Sequence, residues 1–149
     1  MGVSIERIKQ LREETGVSVS ECKKALEEAK GDFGKAKEIL KKLGKSLAEK
    51  KAQRQVLQGV IDSYIHPNRK VGAMIKLCCE TDFVAKSPDF QKLAHELCLQ
   101  VAAIDPGETP ILEQPWIKDP QKTIKNLTEE YVAKLGENIV LEKFVRYEL

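Results

Sequence analysis

Residues 59–90 have the sequence GVIDSYIHPNRKVGAMIKLCCETDFVAKSPDF, in which the spacing of apolar side chains decides the fold class. Upstream of this stretch, apolar residues recur about every 3.6 positions, whereas here they recur about every second position. Two such runs, residues 60–65 and 71–79, flank a segment of turn-forming residues at 67–70. This pattern predicts a β-hairpin, with alternate residues from Val71 to Cys79 on one face.

The first 44 residues predict three short helices. The first follows a Ser4 cap and stops at Gly16, and the second begins at Ser18, which opens a capping-box pattern. The third is capped by Asp32, and we expect Gly44 to end it. Residues 1–44 are thus predicted to form a compact three-helix module.

The next segment, residues 45–58, is polar, basic and rich in helix-forming residues. We interpret it as a helical or flexible connector. Its lysines and arginines could contact a phosphate backbone, but no aromatic side chains lie among them to stack on bases. A solvated linker is the simpler interpretation, so we predict no direct contact with nucleic acid.

After the hairpin, the pattern returns to helices and then closes on a strand. Ser87 followed by Pro88 is typical of a helix start, and this helix should run to about Ile104. A further helix is predicted from Asp119 to Gly136, and residues 138–149 predict a third strand. Residues 59–149 are therefore expected to form an α+β core, a small antiparallel three-stranded sheet packed with helices.

Length and composition indicate a small globular protein. The chain has 149 residues, a mass of 16.8 kDa and a formal net charge of +2, which leaves room for one domain or a small core with a helical appendage. No run of eighteen apolar residues occurs, and the first residues are charged rather than signal-like. We expect a cytoplasmic protein without a membrane partner.

Side chains suited to catalysis are few and scattered. Cys22, Cys78, Cys79 and Cys98 lack the spacing of zinc sites, and we expect reduced, mostly buried thiols. His66 falls in the predicted hairpin turn, and His95 falls on the polar face of its helix. No phosphate-binding loop, dinucleotide, zinc-protease or calcium-loop motif is present. The sequence therefore predicts no enzyme, cofactor or metal site, although a reactive dithiol at residues 78–79 is one alternative.

The segment ETDFVAK, residues 80–86, contains an aromatic residue that neither neighbouring element requires. The strand pattern ends at Cys79 and the stripe of the next helix begins at Phe90, which leaves Phe83 unassigned. One interpretation is that Phe83 packs under its own core while Asp82 caps a turn. The other is that Phe83 is an exposed anchor on a short loop, a kind of residue that often dominates an interface.

Four motifs resemble one family. Residues 79–86, CETDFVAK, are similar to the TDFV motif of elongation factor Ts, the nucleotide exchange factor for elongation factor Tu. Residues 11–36, LREETGVSVSECKKALEEAKGDFGKA, resemble the family's amino-terminal module of the ubiquitin-associated (UBA-like) type. Residues 64–72 resemble its first hairpin and residues 135–149 its closing strand. The chain departs from the family at Leu77 and Cys78, where valine and asparagine are usual.

The resemblance implies a function and a set of contacts. Thr81, Asp82, Phe83 and Val84 would dock on elongation factor Tu, displace Mg²⁺ and promote release of GDP. In the amino-terminal module, Arg12, Val17 and Val19 would make a second contact, although Val19 fits a buried stripe equally well.

The resemblance also bears on assembly. Longer members carry two copies of the core and this chain has room for one, so a homodimer is expected. An alternative class is an interaction module whose three helices bind a ubiquitin-like or ribosome-associated partner.

Overall fold

A computed structural model describes residues 2–149, which begin with three helices around a small apolar cluster. These are α1 (Ile5–Thr15), α2 (Val19–Glu28) and α3 (Phe33–Lys51). The side chains of Ser4, Ser18 and Asp32 each accept a hydrogen bond from the backbone N–H three residues ahead, which satisfies donors that a helix start leaves open. The predicted helix starts are thus confirmed, whereas the likeness to the ubiquitin-associated fold stays a prediction.

The second half of the chain forms the α+β core predicted from the change of period. It contains β1 (Gln58–Ile65), β2 (Val71–Cys79), α4 (Asp82–Ala85), α5 (Pro88–Ala103), a 3₁₀ turn (Ile111–Glu113), β3 (Pro115–Trp116), β4 (Asp119–Thr123), α6 (Ile124–Leu135) and β5 (Val140–Glu148). The sheet has the order β1-β2-β5 with both pairs antiparallel. None of the helices within residues 2–149 combines the length and the hydropathy needed to cross a bilayer.

The core lies between the inner face of the sheet and helix α5, and α6 packs on α5 and adds its buried side chains to the same cluster. Ile75 and Leu77 of β2 are fully buried against Phe90 and Leu97 of α5, and burial of each such side chain stabilises the fold by about 1.5–3 kcal/mol. The predicted hairpin, the helix start at Ser87 and the third strand are confirmed. The end of β2 and the start of α5 are therefore rigidly placed, and α4 lies between them.

The predicted start of the last helix at Asp119 is wrong. Residues 119–123 form β4, which pairs with β3 in a short ribbon. The helix begins at Ile124 because the Thr123 hydroxyl caps the N–H of Asn126 while the Asn126 side chain accepts from the Thr123 N–H. This reciprocal cap is a stronger start than the Asp-Pro pair upstream.

The predicted end of the third helix at Gly44 is also wrong. Helix α3 continues to Lys51 because Gly44 is buried against α6, where a Cβ at this position would lie 3.5 Å from the carbonyl oxygen of Glu129. At its far end the Lys51 ammonium donates to the carbonyl of Gly136 at 3.0 Å. Packing against α6 thus outweighs the low helix propensity of glycine, and the first half of the predicted connector is helical. The division at residues 44 and 58 stays a prediction.

Candidate partner-binding site

The segment predicted as a loop after β2 is one capped helical turn, which we call the Phe83 turn (residues 81–86). The hydroxyl of Thr81 accepts from the N–H of Val84 at 3.3 Å, and the N–H of Lys86 donates to the carbonyl of Asp82 at 3.0 Å. The Asp82 carboxylate also lies 2.8 Å from the Lys86 ammonium. The expectation of an irregular loop is wrong because a threonine cap and an i,i+4 ion pair both favour a helical turn.

Phe83 points away from the core. Its side chain is 87% exposed, whereas the next residue, Val84, is 6% exposed and packs in the main cluster. Of the two interpretations offered by the sequence, the structure excludes packing of Phe83 under its own core. Val84 instead anchors the turn, and its buried side chain is not available to a partner in this conformation.

A carboxylate from a distant part of the chain holds the base of the Phe83 turn. Oε1 of Glu137 accepts from the backbone N–H groups of Glu80 and Thr81 at 3.1 and 2.9 Å. Its Oε2 accepts from the Thr81 hydroxyl at 2.7 Å. Both carboxylate oxygens are therefore used on the residues that precede Phe83, and charge-assisted bonds of this kind are stronger than neutral ones.

A second hydrogen bond joins the same two segments, with the donor and acceptor sides exchanged. The N–H of Asn138 donates to Oε2 of Glu80 at 2.6 Å, and its side-chain amide donates to the carbonyl of Arg54 at 2.9 Å. The Arg54 guanidinium lies 3.7 Å from Oε1 of Glu80. We call Arg54, Glu80, Glu137 and Asn138 the clasp, because it ties the connector, the end of β2 and the start of β5 together.

Sequence reasoning missed the clasp, although a signal for it exists. Glu137 and Asn138 follow the helix-ending Gly136 and precede the apolar run of β5. Two polar residues at that place are available for a hydrogen-bonding role that neither α6 nor β5 demands. Pairing them with Glu80 needs the strand order β1-β2-β5, which places the ends of β2 and β5 side by side.

The predicted contacts of the amino-terminal module lie around the turn between α1 and α2. Arg12 is exposed in the last turn of α1, and Val19 is 49% exposed at the start of α2. Val17 is half-buried against the small cluster, and its carbonyl accepts from the Cys22 thiol at 3.6 Å. Arg12 and Val19 are thus accessible to a partner, whereas Val17 is only partly so.

One lysine lies between the two predicted contact regions. A Cβ added to Gly16 would lie 2.8 Å from Cδ of Lys134, and the Lys134 ammonium is 3.2 Å from the Asp89 carboxylate at the start of α5. The turn before α2 and the helix that follows the Phe83 turn therefore meet at the same side chain of α6.

The other candidate residues offer little chemistry. All four cysteines are free and buried, and burial raises the pKa of Cys79 to about 11 and that of Cys98 to about 12. Such thiols are poor nucleophiles at neutral pH. His66 Nδ1 lies 2.9 Å from the Tyr64 hydroxyl on the surface. Within residues 2–149, no group of histidine, cysteine and carboxylate side chains is arranged to hold a metal ion.

The outer face of the three-stranded sheet carries several exposed apolar side chains. In the strand register, Ile61 and Ile65 of β1, Met74 of β2, and Val145 and Tyr147 of β5 point to the side opposite the helices. All five are exposed. A clustered apolar surface of this kind is typical of a face that is covered by another protein surface.

Comparison with known proteins places these features in a family. A family model described as Elongation factor TS matches residues 80–149. Elongation factor Ts of Thermodesulfovibrio yellowstonii is 38% identical over 194 aligned positions, which include all of this chain and 97% of the relative. That of Coprothermobacter proteolyticus is 39% identical over 195 positions, covering 100% and 99% of the two chains.

The alignments also show how the relatives differ in length. Those two extend over more positions than the 149 residues of this chain, so both relatives carry residues within the aligned region that this chain lacks. Elongation factor Ts of Aquifex aeolicus is 46% identical over 154 positions, but the alignment covers only 53% of that protein. The exposed aromatic, its capped turn and the closing strand all fall within the region that the family model matches. The chain belongs to the elongation factor Ts family.

Proposed function

We propose that this chain is a guanine nucleotide exchange factor, which binds elongation factor Tu in its GDP-bound form and promotes release of GDP so that GTP can bind. The observation that carries the proposal is the 87% exposed ring of Phe83 on a turn whose flanking residues are fixed. A ring held this far from its own core is free to be covered by the surface of a partner. Full burial of such a ring contributes roughly 1.5–3 kcal/mol to binding.

In the proposed mechanism, Phe83 enters the GTPase beside its Mg²⁺ site. Mg²⁺ requires near-ideal octahedral coordination, so small displacements of its ligands weaken its binding. Asp82 supplies polar contacts once its carboxylate exchanges Lys86 for a group on the partner. The Asp82–Lys86 pair is highly exposed, and exposed pairs of this kind contribute little stability, so this exchange of partners is inexpensive.

Thermodynamic linkage relates this insertion of Phe83 to nucleotide exchange. A protein that binds the nucleotide-free GTPase more tightly than the GDP-bound form weakens GDP binding by the same factor. No covalent bond is made or broken, so the proposed activity is exchange and not catalysis of a chemical reaction. The chain needs no cofactor of its own for this activity.

The amino-terminal module adds a second contact in the proposal. Arg12 and Val19 are accessible, and Val17 lies between them in the same turn region. Two weak contacts on one chain bind with a raised effective concentration. Because α3 is continuous from Phe33 to Lys51 and its end is bonded to Gly136, the module is held near the core and does not hang on a flexible linker.

The test is to replace Phe83 with alanine and to follow the release of a fluorescent GDP analogue from elongation factor Tu. At subsaturating concentration, we expect stimulated release to fall about 10- to 150-fold, which corresponds to the loss of 1.5–3 kcal/mol of burial. Ile5→Ala is the matched control, because Ile5 is also an exposed apolar side chain but lies at the start of α1. Unchanged stimulation by Phe83→Ala, with native circular dichroism, would refute the insertion of Phe83 beside the Mg²⁺ site and favour the three-helix interaction module.

We further propose that two copies of the chain form a homodimer through the outer face of the sheet. The Aquifex relative extends well beyond the aligned part, and a second copy would supply a second core to this shorter chain. Met74 and Val145 are adjacent in the register and lie at the centre of the exposed face. Light scattering should give twice the 16.8 kDa mass, and Met74→Lys should return it to one chain. A mass of one chain at working concentration would refute the dimer.

A further inference from the structure

We propose that Glu137 is a positioning residue for the Phe83 turn and that it acts through the Thr81 hydroxyl. This inference rests on the proposed exchange function, because it explains how the exposed ring is presented to the GTPase. Glu137 itself lies on the segment between α6 and β5, 54 residues along the chain from Phe83. Its role is therefore visible only in the folded chain.

The first step of the argument is the direction of the hydrogen bonds at Thr81. A hydroxyl has one proton to donate and lone pairs to accept with. The proton of Thr81 Oγ1 is directed to Oε2 of Glu137 at 2.7 Å, which leaves a lone pair for the N–H of Val84 at 3.3 Å. Glu137 thereby sets the rotation of the hydroxyl that caps the turn.

The remaining polar groups of Thr81 are also occupied. Its N–H donates to Glu137 Oε1 at 2.9 Å, and its carbonyl accepts from the Ala85 N–H at 3.1 Å and from the Cys79 thiol at 3.2 Å. Burial keeps Cys79 in the thiol form, since it raises the pKa to about 11. Thr81 is thus fixed on both sides, and the cap cannot rotate independently of the clasp.

The second step is the link from the cap to the ring. Phe83 lies between Asp82, the first residue of α4, and Val84, whose side chain is buried and whose N–H is capped. Fixing the backbone on both sides limits the direction of the Phe83 Cα–Cβ bond, although the ring itself has no contact with the core. Preorganisation of this kind raises affinity because less conformational entropy is lost on binding.

The third step is the requirement for a carboxylate. Glu137 accepts three hydrogen bonds with two oxygens. A glutamine has the same shape but only one oxygen and no charge. With that oxygen on the two backbone N–H groups, its NH₂ group would turn the Thr81 hydroxyl from a donor into an acceptor, and the bonds would lose the assistance of the carboxylate charge. Glu137→Gln should therefore loosen the cap without creating a cavity in the core.

The clasp also fixes the backbone of Glu137 itself. The next residue, Asn138, donates its N–H to Glu80 at 2.6 Å, so the two segments bond each other in both directions. Asn138 is buried and its side chain also bonds the carbonyl of Arg54. Glu137 therefore has a fixed origin from which to position the turn.

The experiment measures GDP release from elongation factor Tu with Glu137→Gln, Thr81→Val and Phe83→Ala, alone and in pairs. We expect Glu137→Gln to lower stimulated release about three- to tenfold, the range for one hydrogen bond of ordinary strength. Thr81→Ser, which keeps a hydroxyl, should stimulate GDP release more strongly than Thr81→Val does. The control is Glu130→Gln, which removes a carboxylate of α6 that is bound to Lys122 of β4, away from the Phe83 turn.

The double variants distinguish positioning from general loss of stability. If Glu137 acts through Phe83, Glu137→Gln should change release less than twofold in the Phe83→Ala background, because coupled residues are non-additive. An undiminished effect in that background overturns the inference. So does a Glu137→Gln variant that stimulates release as well as the unaltered chain.

Amide hydrogen exchange gives a readout that does not depend on elongation factor Tu. The N–H groups of Thr81 and Val84 should lose protection in Glu137→Gln but keep it in Glu130→Gln, while β2 stays protected in both. Retained protection at Val84 overturns the inference even where the proposed function holds. If the unaltered chain fails to stimulate release, the proposed function fails, and with it the inference that depends on it.

Discussion

Two surface turns carry the proposed contacts, and they are held in different ways. The Phe83 turn rests on a cap, a buried valine and the clasp, whose members come from three separate parts of the chain. The turn between α1 and α2 is held mainly by its own caps, with Gly16 at a φ of 71° and Ser18 capping Glu21. It rests on the smaller of the two buried clusters.

This difference indicates a division of roles. A turn held by long-range bonds can present one ring in one direction, whereas a turn held by local bonds can adjust to a surface at little cost. Regions with small cores also open more readily than the main core does. We therefore expect the Phe83 turn to provide specificity and the amino-terminal turn to provide adaptable additional binding.

The largest expected effect comes from removing the support of the amino-terminal turn. Leu26 of α2 is fully buried in the smaller cluster, and Leu26→Ala should destabilise the module by about 2–5 kcal/mol. Because that cluster is small, we expect α1 and α2 to lose protection against hydrogen exchange while β2 and α5 keep it. Amide exchange followed by mass spectrometry measures both at once.

The matched variant is Leu97→Ala, which makes the same change in the larger cluster around α5. It should lower protection throughout the sheet and α5. If Leu26→Ala reduced protection in β2 and α5 as much as in α1 and α2, the two clusters would form one cooperative unit. The contrast between the two turns would then have no energetic basis.

Alkylation of the cysteines compares how often the two clusters open, without any substitution, and its expected effect is smaller. Cys22 lies in the module and Cys79 lies beneath the Phe83 turn, and both are fully buried, so alkylation requires local opening. We expect Cys22 to be alkylated about tenfold faster than Cys79, as the smaller cluster opens more often. Cys98, also in the larger cluster, should be alkylated at about the same rate as Cys79. Mass spectrometry of peptides gives each rate, and equal rates would contradict the contrast.

The raised pKa of Cys79 predicts that the stability of the folded chain depends on pH. Burial raises the pKa of Cys79 from 9.0 in an unfolded chain to about 11. The unfolded state therefore loses this proton first, and the contribution to stability is present below pH 9 and is lost as pH rises towards 11. Urea denaturation measures the free energy of unfolding. Between pH 9 and pH 11, this free energy should fall less for Cys79→Ser than for the unaltered chain.

Periodicity and caps were sufficient to predict most of the fold. Alternation along 71–79 identified the buried face of β2, and Ser4, Ser18, Asp32 and Ser87 marked four helix starts. Errors arose where tertiary contacts outweigh local preference. Gly44 lies inside α3 because it packs on α6, and residues 119–123 form a strand because a partner strand is present.

The site was predictable only in part. Phe83 stood out because no periodic pattern required it, and its exposure agrees with that observation. Val84, by contrast, adjoins Phe83 in the motif but is buried, which is a consequence of the helical turn that the sequence did not reveal. Glu137 and Asn138 are polar residues with no local partner, and their partner Glu80 is more than 50 residues away. Such pairings depend on strand order, which local patterns do not specify.

The smallest expected effect tests the adaptable turn directly. Val19 is 49% exposed, so only about half of its side chain remains to be buried by a partner, and Val19→Ala should weaken binding to elongation factor Tu about threefold. Titration calorimetry measures this affinity, with Ile5→Ala on the same module as the control. An effect as large as that of Phe83→Ala would mean that the amino-terminal turn is a second anchor. In that case its local caps alone would be enough to present a dominant contact, and long-range bonds such as those of the clasp would not be what distinguishes an anchor.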